Sequence, residues 1–351
     1  MPELEEKLLG MTEEAAVLSR GALAVYANAA ARDLLGQDCV GKRIDELFGE
    51  LVNGVQAPDF LAQIQVDGRP WQLRIGRLGR ERVFFLHAWG ALPALLNQPF
   101  LYALRSSLMN LGLAADALRS RAEERADGAM LESLRAVTRS QFCIQRLANN
   151  ASLILDYSRG EAAPVPRVFD LSVLCASLLD AVSAAQPALQ FVGRFPDRAL
   201  IDADPMLIKE LLLNLLSNAM RHAEGCRRIT LSLLPSRENL VLAVDDDGCG
   251  IPGEELPRVF DRYRHGFGLD QMGAGAGFGL TAARIISQLH GGALLMESRP
   301  GQGTTVRVSL RRGEAARLRA PEAEPAWESR ELLTGLADCL PEGCFDQRFL
   351  D

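Results

Sequence analysis

Several clusters of residues in the C-terminal half could do chemistry, and the first lies on a helix opened by Asp204-Pro205, an N-cap acid followed by proline at the first helical position. The helix is rich in leucine (Leu207, Leu211, Leu212, Leu213, Leu215, Leu216), yet Glu210, Asn214, Asn218 and Arg221 recur along it at spacings of four, four and three. Asparagine costs roughly 0.5 kcal/mol relative to alanine in mid-helix, so two of them one turn apart call for a reason. A carboxamide oxygen can coordinate magnesium without adding negative charge beside a triphosphate. Taken alone, the stripe also fits two surface asparagines on a solvated face.

The second cluster follows a strand-like run, Leu240 to Val244, which enters Asp245-Asp246-Asp247-Gly248-Cys249-Gly250-Ile251-Pro252. A carboxylate at a strand end can accept a hydrogen bond from the adenine amino group, where guanine would present an acceptor and be rejected. Asp246 is the candidate for that role, and Gly248 and Gly250 would let the backbone approach a flat base. The third cluster, Gly273-Ala-Gly275-Ala-Gly277-Phe-Gly279, opens the helical run Leu280 to His290 and offers backbone N–H groups and a helix N-terminus to phosphate oxygens. It matches neither G-x-G-x-x-G nor a P-loop. A fourth, Gly301-Gln-Gly303-Thr304-Thr305, leads into the strand Val306 to Leu310. Taken alone, the second is a common loop and the fourth a hairpin.

In combination, order and spacing resemble the ATP-binding domain shared by sensor histidine kinases, gyrase-type ATPases and related chaperones. Asn214 and Asn218 fall in its N box, Asp246, Gly248 and Gly250 in its G1 box, Phe260 to Tyr263 in its F box, and Gly275, Gly277 and Gly279 in its G2 box. The resemblance implies an α/β sandwich of the GHKL (Bergerat) type. It further implies that Asn218 with Asn214 holds magnesium, and that Asp246 reads adenine. By the same resemblance Arg221 and the glycine loop meet phosphates, Leu280 and Thr304 border the nucleotide, and residues 253 to 274 form a lid. The implied cofactors are ATP and Mg.

The elements that must position these residues suggest a multidomain α+β chain, since 351 residues exceed one ordinary core. Residues 12–90 alternate strand-like runs (Ala22 to Tyr26, Leu61 to Val66, Trp71 to Ile75, Val83 to His87) with helical stretches Ala29 to Leu35 and Ile44 to Leu51. Residues 95–160 read as two long helices. Leu101, Leu104, Leu108, Leu111, Ala115 and Leu118 form one seam; Met130, Leu134, Val137, Ile144, Ala148, Ala151 and Leu155 form another, interrupted by Gln141. Such an antiparallel hairpin exposes too much apolar surface alone, so a homodimer closing a four-helix bundle is expected. The linker GEAAPVPRV leads to the third domain, residues 169–312. A tail at 313–351, rich in Glu, Ala and Pro, has an amphipathic stretch near Trp327 to Leu340 and no visible chemistry.

The hairpin run Phe100-Leu-Tyr-Ala-Leu-Arg-Ser-Ser-Leu-Met-Asn-Leu resembles the dimerisation and phosphoacceptor helix of the same kinases. The first domain resembles a PAS sensor through Tyr26-Ala-Asn28-Ala-Ala, Leu34-Leu35-Gly36 and Val40-Gly41-Lys42. In this register Tyr102 stands where the family carries its phosphoacceptor histidine, and Ala103 where it carries an acid. A phenol with an ordinary pKa near 10 needs a base to attack phosphorus, and Ala103 supplies none. His87, His222, His265 and His290 all lie off the acceptor position, and Ser106 and Ser107 are hydroxyls within a turn of it.

The expectation is a sensor histidine kinase-like signalling protein, an ATP-dependent phosphotransferase by resemblance, with a response regulator or other signalling protein as partner. The rival readings are a non-catalytic ATP-sensing pseudokinase scaffold and a serine-directed protein kinase. A gyrase-like ATPase fits least, because those proteins place a general-base Glu where Asn214 stands. A net charge of −7 without a basic stripe argues against nucleic-acid binding. The seven cysteines without a C-x-x-C pair suit a reducing compartment. The acidic N-terminus does not read as a signal peptide, and Val83 to Leu96, broken by His87 and Pro93, falls short of the ~18 residues of a membrane span. A cytoplasmic location is expected.

Overall fold

The computed structural model describes residues 9, 15–48, 60–66, 69–78, 81–88, 97–222, 225–236, 238–253, 256, 278–318, 320–321 and 325–346. The N-terminal unit comprises β1 (Ala15–Arg20), β2 (Leu23–Ala27), α1 (Ala29–Leu35), α2 (Ile44–Phe48), β3 (Phe60–Val66), β4 (Arg69–Leu78) and β5 (Glu81–Ala88). The strands lie in the order β2-β1-β5-β4-β3, antiparallel throughout. β1 is absent from the strands that sequence pattern suggests. Residues 15 to 19 are all buried, so the polar-apolar alternation that marks a half-exposed strand is missing. Asn28 organises this corner: its Oδ1 accepts from the N–H groups of Ala31, capping α1, and of Ala16, both at 3.0 Å.

The hairpin consists of α3 (Gln98–Glu124) and α4 (Gly128–Ser158). Asn97 caps α3 by accepting from Phe100 N–H, and Asp127 caps α4 by accepting from Met130 N–H. Ala126 turns the bend with φ +53°. Half of the α3 seam is buried within the chain, at Leu101, Leu108, Ala115 and Ala122, one every seven residues. The other half is not: Leu111 and Leu118 are 42% and 41% exposed. Gln141, the polar interruption, donates to the carbonyl of Leu108 at 2.9 Å. Gly112 makes room for it, since a β-carbon there would lie 2.5 Å from Gln141 Nε2.

The third unit contains β6 (Arg167–Asp170), α5 (Leu171–Ala185), β7 (Gln190–Arg194), β8 (Leu200–Ala203), α6 (Pro205–His222), β9 (Arg228–Pro235), β10 (Asn239–Asp246), α7 (Phe278–Leu289), β11 (Leu294–Arg299) and β12 (Gly303–Arg311). α8 (Ala315–Leu318), α9 (Ser329–Gly335) and a 3-10 turn (Glu342–Phe345) follow. Its main sheet runs β11-β12-β10-β9-β7, with only β7–β9 parallel. Alternate residues such as Ile229, Leu231 and Leu233, or Leu240, Leu242 and Val244, face leucines of α5 and α6 in one core, giving an α/β sandwich.

The two sheets are continuous. β3 pairs antiparallel with β11, Phe60 to Gln63 against Glu297 to Leu294, giving a ten-stranded sheet. Leu294 and Met296 enter the core of the third unit, whereas Leu295, on the opposite face of β11, is fully buried in the core of the N-terminal unit. Among the described residues no helix is long and apolar enough to cross a membrane.

Candidate functional site

α6 begins as its sequence implies: Asp204 Oδ1 accepts from the N–H groups of Met206 and Leu207 at 2.9 and 3.2 Å. Its leucines enter the core, and Asn214 of the polar stripe meets the hairpin. Asn214, only 2% exposed, forms a reciprocal amide pair with Asn150 of α4, donating at 3.0 Å and accepting at 3.1 Å. Arg146 of α4 donates to the same Oδ1 at 3.2 Å. Gly279, at the start of α7, covers this pair, because a β-carbon there would stand 3.1 Å from Asn214 Oδ1. Leu280 beside it packs against the core. Asn214 is therefore committed to the hairpin. Asn218, one turn on, is different: its buried Nδ2 has no hydrogen-bond partner among the described residues. Its carboxamide thus keeps a polar group that the described residues do not satisfy, and its oxygen is of the kind that can coordinate a hard cation. Burial raises the carboxyl pKa of Glu210, with Arg146 and Arg105 opposing.

The three consecutive aspartates take three separate tasks. Asp245 accepts from Thr305 Oγ1 at 2.6 Å across the β10–β12 ladder. Asp247 Oδ1 accepts from the N–H groups of Arg228 and Arg227 at 2.9 and 2.8 Å, which hold its carboxyl below the ordinary value. Asp246 Oδ1 accepts from Gly248 N–H at 3.0 Å and Thr304 N–H at 3.3 Å. Burial raises the Asp246 carboxyl, and these two N–H groups oppose the rise.

Gly250 has a reason within the protein itself. Its φ is +70°, and a β-carbon would fall 2.0 Å from the carbonyl oxygen of Arg299. The loop is tied to the β11–β12 turn by Gly301 N–H donating to Cys249 O and by Ile251 N–H donating to Ser298 Oγ. Ser298 in turn shares a 2.8 Å hydrogen bond with Thr304 Oγ1. Asp246, Gly248, Gly250 and Thr304 are thus assembled in one place. Gly275, Gly277 and Phe260 to Tyr263 lie outside the described residues, as does the 253–274 lid apart from residues 253 and 256.

Tyr102, on the first turns of α3, is 77% exposed, and Ala103, Ser106 and Ser107 beside it are exposed as well. Ser107 donates back to the carbonyl of Ala103 at 3.0 Å. His265 and the side chains of His87 and His222 lie outside the described residues. His290 is buried and structural: its Nε2 accepts from Asp204 N–H at 3.0 Å, and its Nδ1 lies 2.8 Å from the carbonyl of Ile286. Accepting at one nitrogen and donating at the other requires neutral imidazole. Burial lowers its pKa from 6.5, so its stabilising contribution is complete above that value and declines as pH falls below it. Thermal melts from pH 7 to 5 should show a shallower acid slope in His290→Asn than in the parent.

The tail, silent in the sequence, reaches the site. Asp338 Oδ1 accepts from Arg146 Nη1 at 2.7 Å and from Ser217 Oγ at 3.2 Å, and its Oδ2 accepts from Arg221 Nη1 at 2.8 Å. Burial works to raise this carboxyl, but Arg146, Cys339 and Arg221 hold it below the ordinary range. The available sequence signal was the row Arg139, Cys143, Arg146 and Asn150, a polar face on α4 separate from the hairpin seam.

Residues 203–314 match the family described as histidine kinase-, DNA gyrase B- and HSP90-like ATPases. The chain is 36% identical to the histidine protein kinase DivJ of Caulobacter vibrioides over 163 residues, which are 45% of this chain and 27% of that protein. To the sensor histidine kinase WalK of Bacillus subtilis it is 34% identical over 126 residues, 35% of this chain and 21% of that one. The chain therefore spans well under half the length of these curated relatives. Among solved structures, that of the histidine kinase ThkA in complex with the response regulator TrrA aligns over 90% of this chain and 99% of its own, with 18% identity and a TM-score of 0.41. The family match and these relatives support a histidine kinase-type ATPase domain over residues 203–314.

Proposed function

We propose that this chain is a sensor histidine kinase-like protein that binds Mg-ATP and works as a homodimer, with a PAS-like N-terminal unit as its input. The observation carrying the nucleotide reading is Asp246, held at the end of β10 by two backbone N–H groups that both fall on Oδ1. Its Oδ2 is the acceptor for the adenine amino group. Asn218 is the residue that would hold magnesium, which when bound would neutralise phosphate charge. Asn214 acts with it by fixing α6 against α4 through Asn150. Gly248 and Gly250 shape the base-side loop, Gly279 and Leu280 start the helix on the phosphate side, Gly275 and Gly277 are the further glycines whose N–H groups would meet phosphate, and Thr304 fixes Asp246. The exposed half of the α3 seam, Leu111 and Leu118, supports pairing with a second copy.

The pseudokinase reading keeps a specific observation in its favour. Tyr102 stands exposed beside Ala103, and Arg221 is engaged by Asp338. Incubation with γ-labelled Mg-ATP, alongside Tyr102→Phe and Asn218→Ala, separates the readings. Acid-stable label lost in Tyr102→Phe establishes transfer to tyrosine, and acid-labile label establishes a histidine acceptor. Nucleotide binding without label establishes the scaffold, and label on an added protein's serine establishes the serine-directed kinase. With transfer in place, a response regulator or other signalling protein is the downstream partner.

A further inference from the structure

The segment from Trp327 to Asp346 bonds to both sides of the joint between hairpin and ATPase unit. On the ATPase side Trp327 Nε1 donates to the carbonyl of Leu174 at 3.1 Å, and Lys209 of α6 pairs with Glu331 at 2.7 Å. Gly335 packs so tightly on α6 that a β-carbon would lie 2.6 Å from Leu213 Cδ1. On the hairpin side Arg139 donates to the carbonyls of Ala337 and Asp338 at 3.0 and 3.2 Å. Arg119 donates to the carbonyl of Phe345 at 2.6 Å, and Arg135 pairs with Asp346. A segment bonded to both bodies holds their separation and angle.

At the centre of this segment Asp338 spans Arg146 and Arg221, one from each body. Arg221 lies three residues beyond Asn218, so its guanidinium belongs to the same helical face as the candidate magnesium ligand. Two guanidinium groups converging on one carboxylate offer the donors that phosphate oxygens also accept. The geometry points to residues 327–346 as an autoinhibitory strap, in which Asp338 occupies the Arg221 guanidinium that the terminal phosphate of a nucleoside triphosphate would take. Nucleotide then displaces the carboxylate and frees the joint between hairpin and ATPase unit. This rests on the nucleotide-binding reading proposed above.

Competition of this kind depends on the terminal phosphate. Titration of the full chain with Mg-ATP, ADP and adenosine is therefore the test, on the parent, Asp338→Asn and Arg139→Ala. Asp338→Asn should bind ATP about ten-fold more tightly, since a charge-assisted contact no longer competes, with a smaller gain for ADP and none for adenosine. Arg139→Ala, which loosens the strap away from Arg221, should shift ATP affinity in the same direction by less. Added ATP should also speed proteolytic cleavage within 327–346 in the parent. If both variants bind ATP as the parent does, or less tightly, the strap is a scaffold and the proposal fails while the nucleotide reading stands. If parent and variants all fail to bind any of the ligands, the nucleotide reading fails and the strap falls with it. Should Asp338→Asn not fold, the sign of the Arg139→Ala shift decides.

Discussion

Replacing Asp246 with alanine is expected to weaken ATP binding by about 10- to 100-fold, the loss that follows from leaving a buried polar contact to a charged group unmade. The fold should survive, because among the described residues the carboxylate bonds Gly248 N–H and Thr304 N–H alone, at the loop end of β10. Specificity provides the sharper readout. A base whose amino group meets Asp246 Oδ2 loses that contact in the variant, whereas a base presenting an acceptor there loses a repulsion. The ratio of ATP to GTP affinity should therefore fall further than ATP affinity itself. Calorimetric titration with both nucleotides measures this; an unchanged ratio would place the base elsewhere.

The second large effect is structural. Gly303 begins β12 with φ +87°, and a β-carbon there would lie 1.9 Å from the carbonyl oxygen of Asp246. The obstructing atom is backbone, so no side chain can swing aside. Gly303→Ala should cost more than about 2 kcal/mol, combining left-handed strain with a forced shift of the β10–β12 ladder. Because Thr304 N–H follows directly and holds Asp246, nucleotide affinity should fall together with the melting temperature. Gly301, with φ +72° and open space around its β position, is the control: Gly301→Ala carries the strain without the collision and should lose less.

What the sequence made legible follows from how each residue's partners are arranged. The α6 stripe and the aspartate-glycine loop were readable because a polar residue on an apolar helix and a turn at a strand end are local patterns. β1 was not, since burial of residues 15 to 19 erases alternation. Asn214 is legible as part of the stripe, but its pairing with Asn150 is not, because the two are joined only by the packing of α4 on α6. The glycine pattern suggests a close-lying base at Gly250, whereas the backbone of Arg299 is what stands close to it. Asp338 was invisible for the opposite reason to β1. A lone acid in a tail reads as solvated until Arg146 and Arg221 are brought beside it.

The pairing of β3 with β11 sets a practical boundary on how the chain can be divided. A fragment cut to the third unit and its tail, residues 167–346, would end its sheet at β11 with a row of unpaired N–H and C=O groups. It would also bare Leu295, which the N-terminal core now encloses. An uncovered strand with an apolar residue facing outward is a template for self-association. The ATPase unit prepared alone would then tend to assemble edge to edge, and a Leu295→Lys change, harmful in the whole chain, would be what keeps the fragment monomeric.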